Sequence, residues 1–251
     1  MKLTVLGAGT CIPYPGYSPA GYLVTIGGMP VLLDAGPGTI ARLAEQGVSY
    51  RDLELVLVSH LHPDHVLDLL TLLQASNATP GWRRVKPLVF YGCQGFESTL
   101  QKLFNIFDGV APESFPLQVH ELASDRVDFG AWSLQTALTG HTGESLAFRL
   151  EEGSHALVYS GDVARPESLV GLAQGADLLL IECSLPDGWQ TPDHLVPSQV
   201  GELARAASVR SVVLTHRYPP ALQADVVSQV KSVYSGSVFA ANDGWTTAIS
   251  D

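Results

Sequence analysis

Residues 54–65, ELVLVSHLHPDH, pass from an aliphatic run into His60, His62, Asp64 and His65 within six positions. Such a run reads as a short buried strand, and it stops in side chains that water or a metal ion must satisfy. Three other apolar runs end in the same way, at His141 in LTGHTGE, Asp162 in VYSGDVA and His216 in VVLTHRYP. A dinuclear site needs about seven protein ligands, and these three residues are candidates to complete it. In an extended segment residues i and i+2 point the same way, so His60 and His62 can grip one cation. The turn at Pro63 swings Asp64 and His65 toward a second.

Hydrophobic patterning supplies the frame. Short runs at 2–6, 21–26 and 30–34 open the chain as a β meander. Strands then alternate with helical patterns: 54–59 then 64–75, 87–91 then 95–106, 177–182 then 197–207, and 211–215 then 221–233. Segments 117–121, 127–137, 145–151 and 155–160 read as antiparallel strands. Two strand-rich stretches, each followed by strand–helix units, fit an α/β architecture: an αββα sandwich of two mixed sheets with outer helices, in a single domain over 1–251. Val66, Leu67, Leu69, Leu70, Leu72 and Leu73 mark a helix face packed on a sheet. The stretch SNATPGWRRVKP at 76–87 reads as an exposed loop, with Arg83, Arg84 and Lys86 as a solvated face.

Charge and cysteine usage narrow the partners. Fourteen Lys and Arg against 25 Asp and Glu give a formal charge of -11, whose field repels polyanions and disfavours general nucleic-acid binding. No run of about 18 apolar residues exists to span a membrane, and the first residues are broken by Gly and Pro, so the chain reads as soluble and cytoplasmic. Cys11, Cys93 and Cys183 form no CxxC pair and read as reduced thiols outside the metal chemistry. Imidazole and carboxylate donors without thiolate suit Zn2+, with Mn2+ or Fe2+ as alternatives.

The chain order His-x-His-x-Asp-His, then a lone His, a lone Asp and a lone His, resembles the metallo-β-lactamase superfamily. The likeness runs from position 2 to about 245 and includes GAGT at 7–10, LLDAGPGT around Asp34, SGD at 160–162 and LTH at 214–216. It implies two divalent metal ions, the first on His60, His62 and His141, the second on Asp64, His65 and His216, with Asp162 bridging. Asp34 then braces the ligand loops. Within the superfamily, IEC at 181–183 followed by HLVPSQVGELARAASVRSVVLTH resembles the ribonuclease Z and related phosphodiesterase branch, and this implies a relay between Glu182 and His194. A carboxylate beside an imidazole fixes its tautomer and stabilises the imidazolium, so His194 can protonate a leaving alkoxide. The long tRNA-gripping arm of full ribonuclease Z enzymes is missing, because only 21 positions separate His141 from Asp162. Asp68 stands where that branch tends to have glycine, either orienting a ligand or lying on the surface.

The resemblance implies a dinuclear hydrolase, a phosphodiesterase acting on small or cyclic phosphodiesters or RNA ends through a metal-bridging hydroxide. Asp64, His194 and Glu182 would be its catalytic groups. A tRNA 3′-processing endoribonuclease and a lactonase or thioesterase on the same fold are the alternatives, and a metal-binding scaffold is a further rival. The expected partners are a small-molecule or short nucleic-acid phosphodiester substrate and a second copy in a homodimer, with no membrane. Trp82, Trp189 and Tyr218 fall in loops placed to stack on a ring or to anchor those loops. His120 and His155 lie off the motif positions.

Overall fold

The computed structural model describes residues 1–189 and 191–250. Its first sheet opens as the expected meander of β1 (Lys2–Gly7), β2 (Gly21–Ile26) and β3 (Met29–Ala35), antiparallel throughout. Then β4 (Leu55–Val58), β5 (Leu88–Cys93) and β6 (Leu117–Leu122) add on in parallel. The second sheet repeats the plan. Antiparallel β7 (Arg126–Asp128), β8 (Ser133–Leu138), β9 (Leu146–Glu152) and β10 (His155–Tyr159) lead into parallel β11 (Leu178–Glu182), β12 (Ser211–Thr215) and β13 (Ser237–Ala240). A final strand, β14 (Thr246–Ala248), crosses back to pair with β1. Two seven-stranded mixed sheets, packed face to face with helices outside, make the αββα sandwich that the sequence predicts.

Strand alternation builds three apolar layers. In β4, Leu55 and Leu57 face the opposite sheet while Val56 and Val58 face the helices. Likewise in β11, Leu178 and Leu180 point inward and Leu179 and Ile181 outward. Every one of these side chains is buried, which explains why both strands read as unbroken aliphatic runs. Helices α1 (Thr39–Glu45), α2 (Pro63–Val66), α3 (Asp68–Ala78) and α4 (Phe96–Ile106) belong to the first half. The second half carries α5 (Pro197–Ala206), α6 (Pro219–Leu222) and α7 (Val226–Lys231). Among the described residues no helix is long and apolar enough to cross a membrane.

Several local expectations are corrected. The helix expected over 64–75 is two pieces, because Leu70 N–H bonds to Leu67 O and tightens the ladder, turning Leu67 outward to 40% exposure. The one expected over 221–233 breaks before Asp225, whose side chain caps α7 by accepting from Ser228 N. Segment 117–121 pairs in parallel with β5, since α4 forms the crossover between them. Segment 127–137 is two strands with a turn between. Arg84 is only 2% exposed, donating to Ser76 Oγ and the carbonyls of Tyr50 and Arg51, so it ties a neighbouring turn to the end of α3. Arg83 and Lys86 are exposed as expected.

Candidate metal centre

Most motif residues sit at or just beyond the carboxyl end of a strand, where open α/β sheets place their ligands. Asp34 closes β3, His60 follows β4, Asp162 follows β10, Glu182 ends β11 and His216 follows β12. Asp34 and His216 adopt left-handed backbone with φ of 54° and 48°. Each such residue costs on the order of 1–3 kcal/mol and persists only where its surroundings hold it. For Asp34 the hold is plain: its buried carboxylate accepts Ser59 N at 2.7 Å, Ser59 Oγ at 2.6 Å, His65 Nδ1 at 2.8 Å and the Tyr159 hydroxyl at 2.6 Å. Close backbone approach adds a steric condition. A Cβ on Gly36 would lie 2.1 Å from Asp64 O, so only glycine fits there.

These contacts aim the imidazoles. Ser59 Oγ, whose O–H donates to Asp34, accepts from His60 Nδ1 at 3.0 Å, which leaves the lone pair on His60 Nε2. His141 donates Nδ1–H to Asp193 O at 2.8 Å and is likewise left with a lone pair on Nε2. Both free nitrogens converge on His62 Nδ1, at 3.1 and 3.2 Å. Tetrahedral bonds of about 2.0–2.1 Å put ligand atoms roughly 3.3–3.4 Å apart, so the three nitrogens stand close to three corners of a zinc-sized tetrahedron. A second group lies beside the first: His65 Nε2 is 3.3 Å from His216 Nε2, which is 3.5 Å from Asp64 Oδ2. Asp162 joins them. Its Oδ2 lies 3.8 and 3.7 Å from His60 and His141 Nε2, and its Oδ1 lies 3.6 Å from His65 Nε2 and 3.4 Å from His216 Nδ1.

Asp162 Oδ1 is buried without a hydrogen-bond partner, an arrangement that a cation satisfies. His60, His62, His141 and Asp162 form one cluster able to hold an ion, and Asp64, His65 and His216 form another. The chain therefore carries a dinuclear metal site. Electrostatics agree. Burial and the neighbouring His65 push His60 well below the usual histidine range. Burial also opposes charge on His65, yet Asp162 and Asp34 outweigh it and hold that imidazole well above its ordinary value. Burial would raise the Asp162 carboxyl, but His216 and His65 keep it well below the carboxylate range. The carboxylates thus call for positive charge at the point where an ion would sit.

Glu182 and His194 also meet, with His194 Nδ1 3.1 Å from Glu182 Oε2. Glu182 is fully buried and accepts Val163 N at 2.6 Å, Leu195 N at 3.3 Å and the Ser184 hydroxyl. Burial disfavours the His194 imidazolium, but Glu182 overrides it and carries the pKa up to about 9. Ser184 Oγ, its one proton committed to Glu182, lies 3.2 Å from His216 Nδ1 and so links this pair to the metal cluster.

A cavity of about 580 Å³ opens above the centre, bounded by His62, His141, Leu185, Thr191, His194 and Tyr218 among others. Of the aromatic residues singled out in the sequence, Tyr218 lines it. Trp189 is exposed nearby in the chain but does not line it, and Trp82 lines a different cavity with Arg51 and Arg83. Asp68 is buried and accepts Ile40 N at 2.7 Å, which ties α3 to α1. His120 stacks on Tyr91 and His155 faces Asp177, both apart from the centre. Ser59, Tyr159 and Ser184 escaped the sequence reading, because a lone hydroxyl beside a motif carries no spacing signal.

Residues 30–217 match the Beta-lactamase superfamily domain, and the chain belongs to that superfamily. It is 33% identical to the uncharacterized protein ML1173 of Mycobacterium leprae, over 98% of this chain and 88% of that one. It is 30% identical to ribonuclease Z of Mycobacterium bovis, over 97% and 96% of the two chains. The crystal structure of the metallo-beta-lactamase fold protein YhfI from Bacillus subtilis superposes with a TM-score of 0.85 at 25% identity, over 98% of each chain. Family, fold and site together define a dinuclear-metal hydrolase related to the ribonuclease Z and YhfI branch.

Proposed function

We propose that the chain is a phosphodiesterase acting on small or cyclic phosphodiesters or RNA ends. The supporting observation is the Glu182–His194 pair, buried at the edge of the metal cluster with His194 exposed to the cavity, since breaking a P–O bond needs a proton for the departing oxygen. His60, His62, His141 and Asp162 would hold one ion, and Asp64, His65, His216 and Asp162 the other, with Zn2+ suited to these donors. Two such ions supply a water that ionises near neutral pH and neutralise charge on the attacked phosphate. The Asp64 carboxylate would accept a hydrogen bond from the attacking water. Glu182 occupies His194 Nδ1, fixes the ring and leaves Nε2 to hand its proton to the leaving group.

A tRNA 3′-processing role is the second reading, favoured by the 30% identity to a ribonuclease Z. Against it, the segment between His141 and Asp162 is filled by the β9–β10 hairpin, with no room for an arm. The test is turnover of bis(p-nitrophenyl) phosphate by metal-loaded protein beside an aryl ester and a lactone, with His194→Ala and Asp162→Ala. Diester cleavage lost in both variants supports the proposal. Cleavage of only the ester or lactone moves the protein to acyl hydrolysis.

A further inference from the structure

The cavity over the metal centre is poor in positive charge. Among the described residues no lysine or arginine lines it, and beyond its histidines its wall is Thr142, Leu185, Thr191 and Tyr218 with one carboxylate, Asp193. Arg217, next to His216 in the chain, turns away to donate to Ala241 O and lies over the Tyr17 ring at 5.5 Å. The basic cluster of Arg51, Arg83, Arg84 and Lys86 lines a cavity at the Met29 end of β3, opposite the Asp34 end that reaches the metal cluster.

We infer that this site selects phosphodiesters carrying a single negative charge between uncharged groups, and that Asp193 is the residue that turns away a neighbouring phosphate. The inference rests on the phosphodiesterase reading and narrows it. Asp193 is fixed by its carbonyl, which accepts from His141 Nδ1, and this exposed residue lines the cavity beside His194. A substrate whose flanking group is an aryl or base ring finds Tyr218 and Leu185 to pack on. A substrate with a second phosphate beside the scissile one finds a like charge with no lysine or arginine to offset it. For a dianion about 6–8 Å from an exposed carboxylate, Coulomb repulsion in water amounts to about fivefold to tenfold in affinity.

The test compares a dinucleoside monophosphate with the same compound bearing a 5′-phosphate, in metal-loaded wild type and Asp193→Asn, at low and high salt. Calorimetry with the phosphorothioate analogues gives dissociation constants beside the rates. The wild type should favour the compound without the 5′-phosphate by about fivefold to tenfold in kcat/KM, expressed in KM and Kd, with the ratio falling toward one in Asp193→Asn and in high salt. Equal kcat/KM for the pair at low salt, or a preference that persists in Asp193→Asn, overturns charge selection and leaves phosphodiesterase activity intact. Neither binding nor cleavage of either compound overturns both.

Discussion

Replacing Asp34 by Asn separates the two things this carboxylate does. It receives four donors, from Ser59 N, Ser59 Oγ, His65 Nδ1 and the Tyr159 hydroxyl, and none of them is exposed to water. An amide can keep Ser59 N on its oxygen, and its two N–H hydrogens can serve two of the three groups that meet Oδ2, one hydroxyl after rotation and His65. We therefore expect the variant to fold, with a stability loss of about 1–3 kcal/mol, the cost of one poorly matched buried donor. His65 has no such freedom. To accept from the amide its Nδ1 must give up its proton, and the proton left on Nε2 then points at His216 Nε2, 3.3 Å away, where an ion belongs. Loss of a carboxylate that orients a ligating histidine typically weakens metal binding tenfold to a hundredfold, or about 1.4–2.8 kcal/mol. Chelator competition should show that weakening at one of two sites, with urea unfolding as the control for the fold. Tyr159→Phe, which removes a donor and keeps the carboxylate, should bind both ions as tightly as wild type. A folded Asp34→Asn protein with both affinities within threefold of wild type would refute the argument that Asp34 sets the face His65 presents.

Three other outcomes are expected. His194→Ala should keep two ions per chain by elemental analysis and lose about 100-fold to 10,000-fold of its turnover, as for a general acid. In metal-free protein His194 and His65 have raised pKa values, so their contribution to stability is fully present below about 6.5, the unfolded value, and is lost as pH rises, for His194 through about 9. Urea midpoints should accordingly fall between pH 6.5 and 10, less so in His194→Gln; a midpoint that rises over that range would contradict the pairing. Leu57→Ala, in a side chain wholly buried between the two sheets, should cost about 2–5 kcal/mol by urea unfolding.

The fold was legible where pattern and position coincide. Strands β4, β10, β11 and β12 are aliphatic runs that stop at polar residues, and those residues are the ones the structure gathers. What escaped depends on contacts between distant segments. Ser59 matters because Asp34, 25 residues earlier, accepts its O–H; Tyr159 reaches the same carboxylate from the other sheet; Ser184 joins Glu182 to His216. Arg84 looked solvated because its neighbours in the chain are, yet its partners lie on a turn and a helix end that only tertiary packing brings close. Strands β13 and β14 are four and three residues long, too short for a periodic signal.

The return of the chain to β1 sets an order of events during synthesis. Just before β14, Asp243 accepts Ala8 N at 3.0 Å and Ser18 N at 2.8 Å, bracing both ends of the loop between β1 and β2. Cys11 of that loop lies 3.6 Å from the hydroxyl of Tyr218, at the mouth of the cavity. A nascent chain already displaying His60, His62 and Asp64 outside the ribosome would still lack His216, and even with His216 it would lack the brace. A chain halted between His216 and Asp243 would carry every one of the seven candidate ligands without the carboxylate that braces the loop beside the cavity.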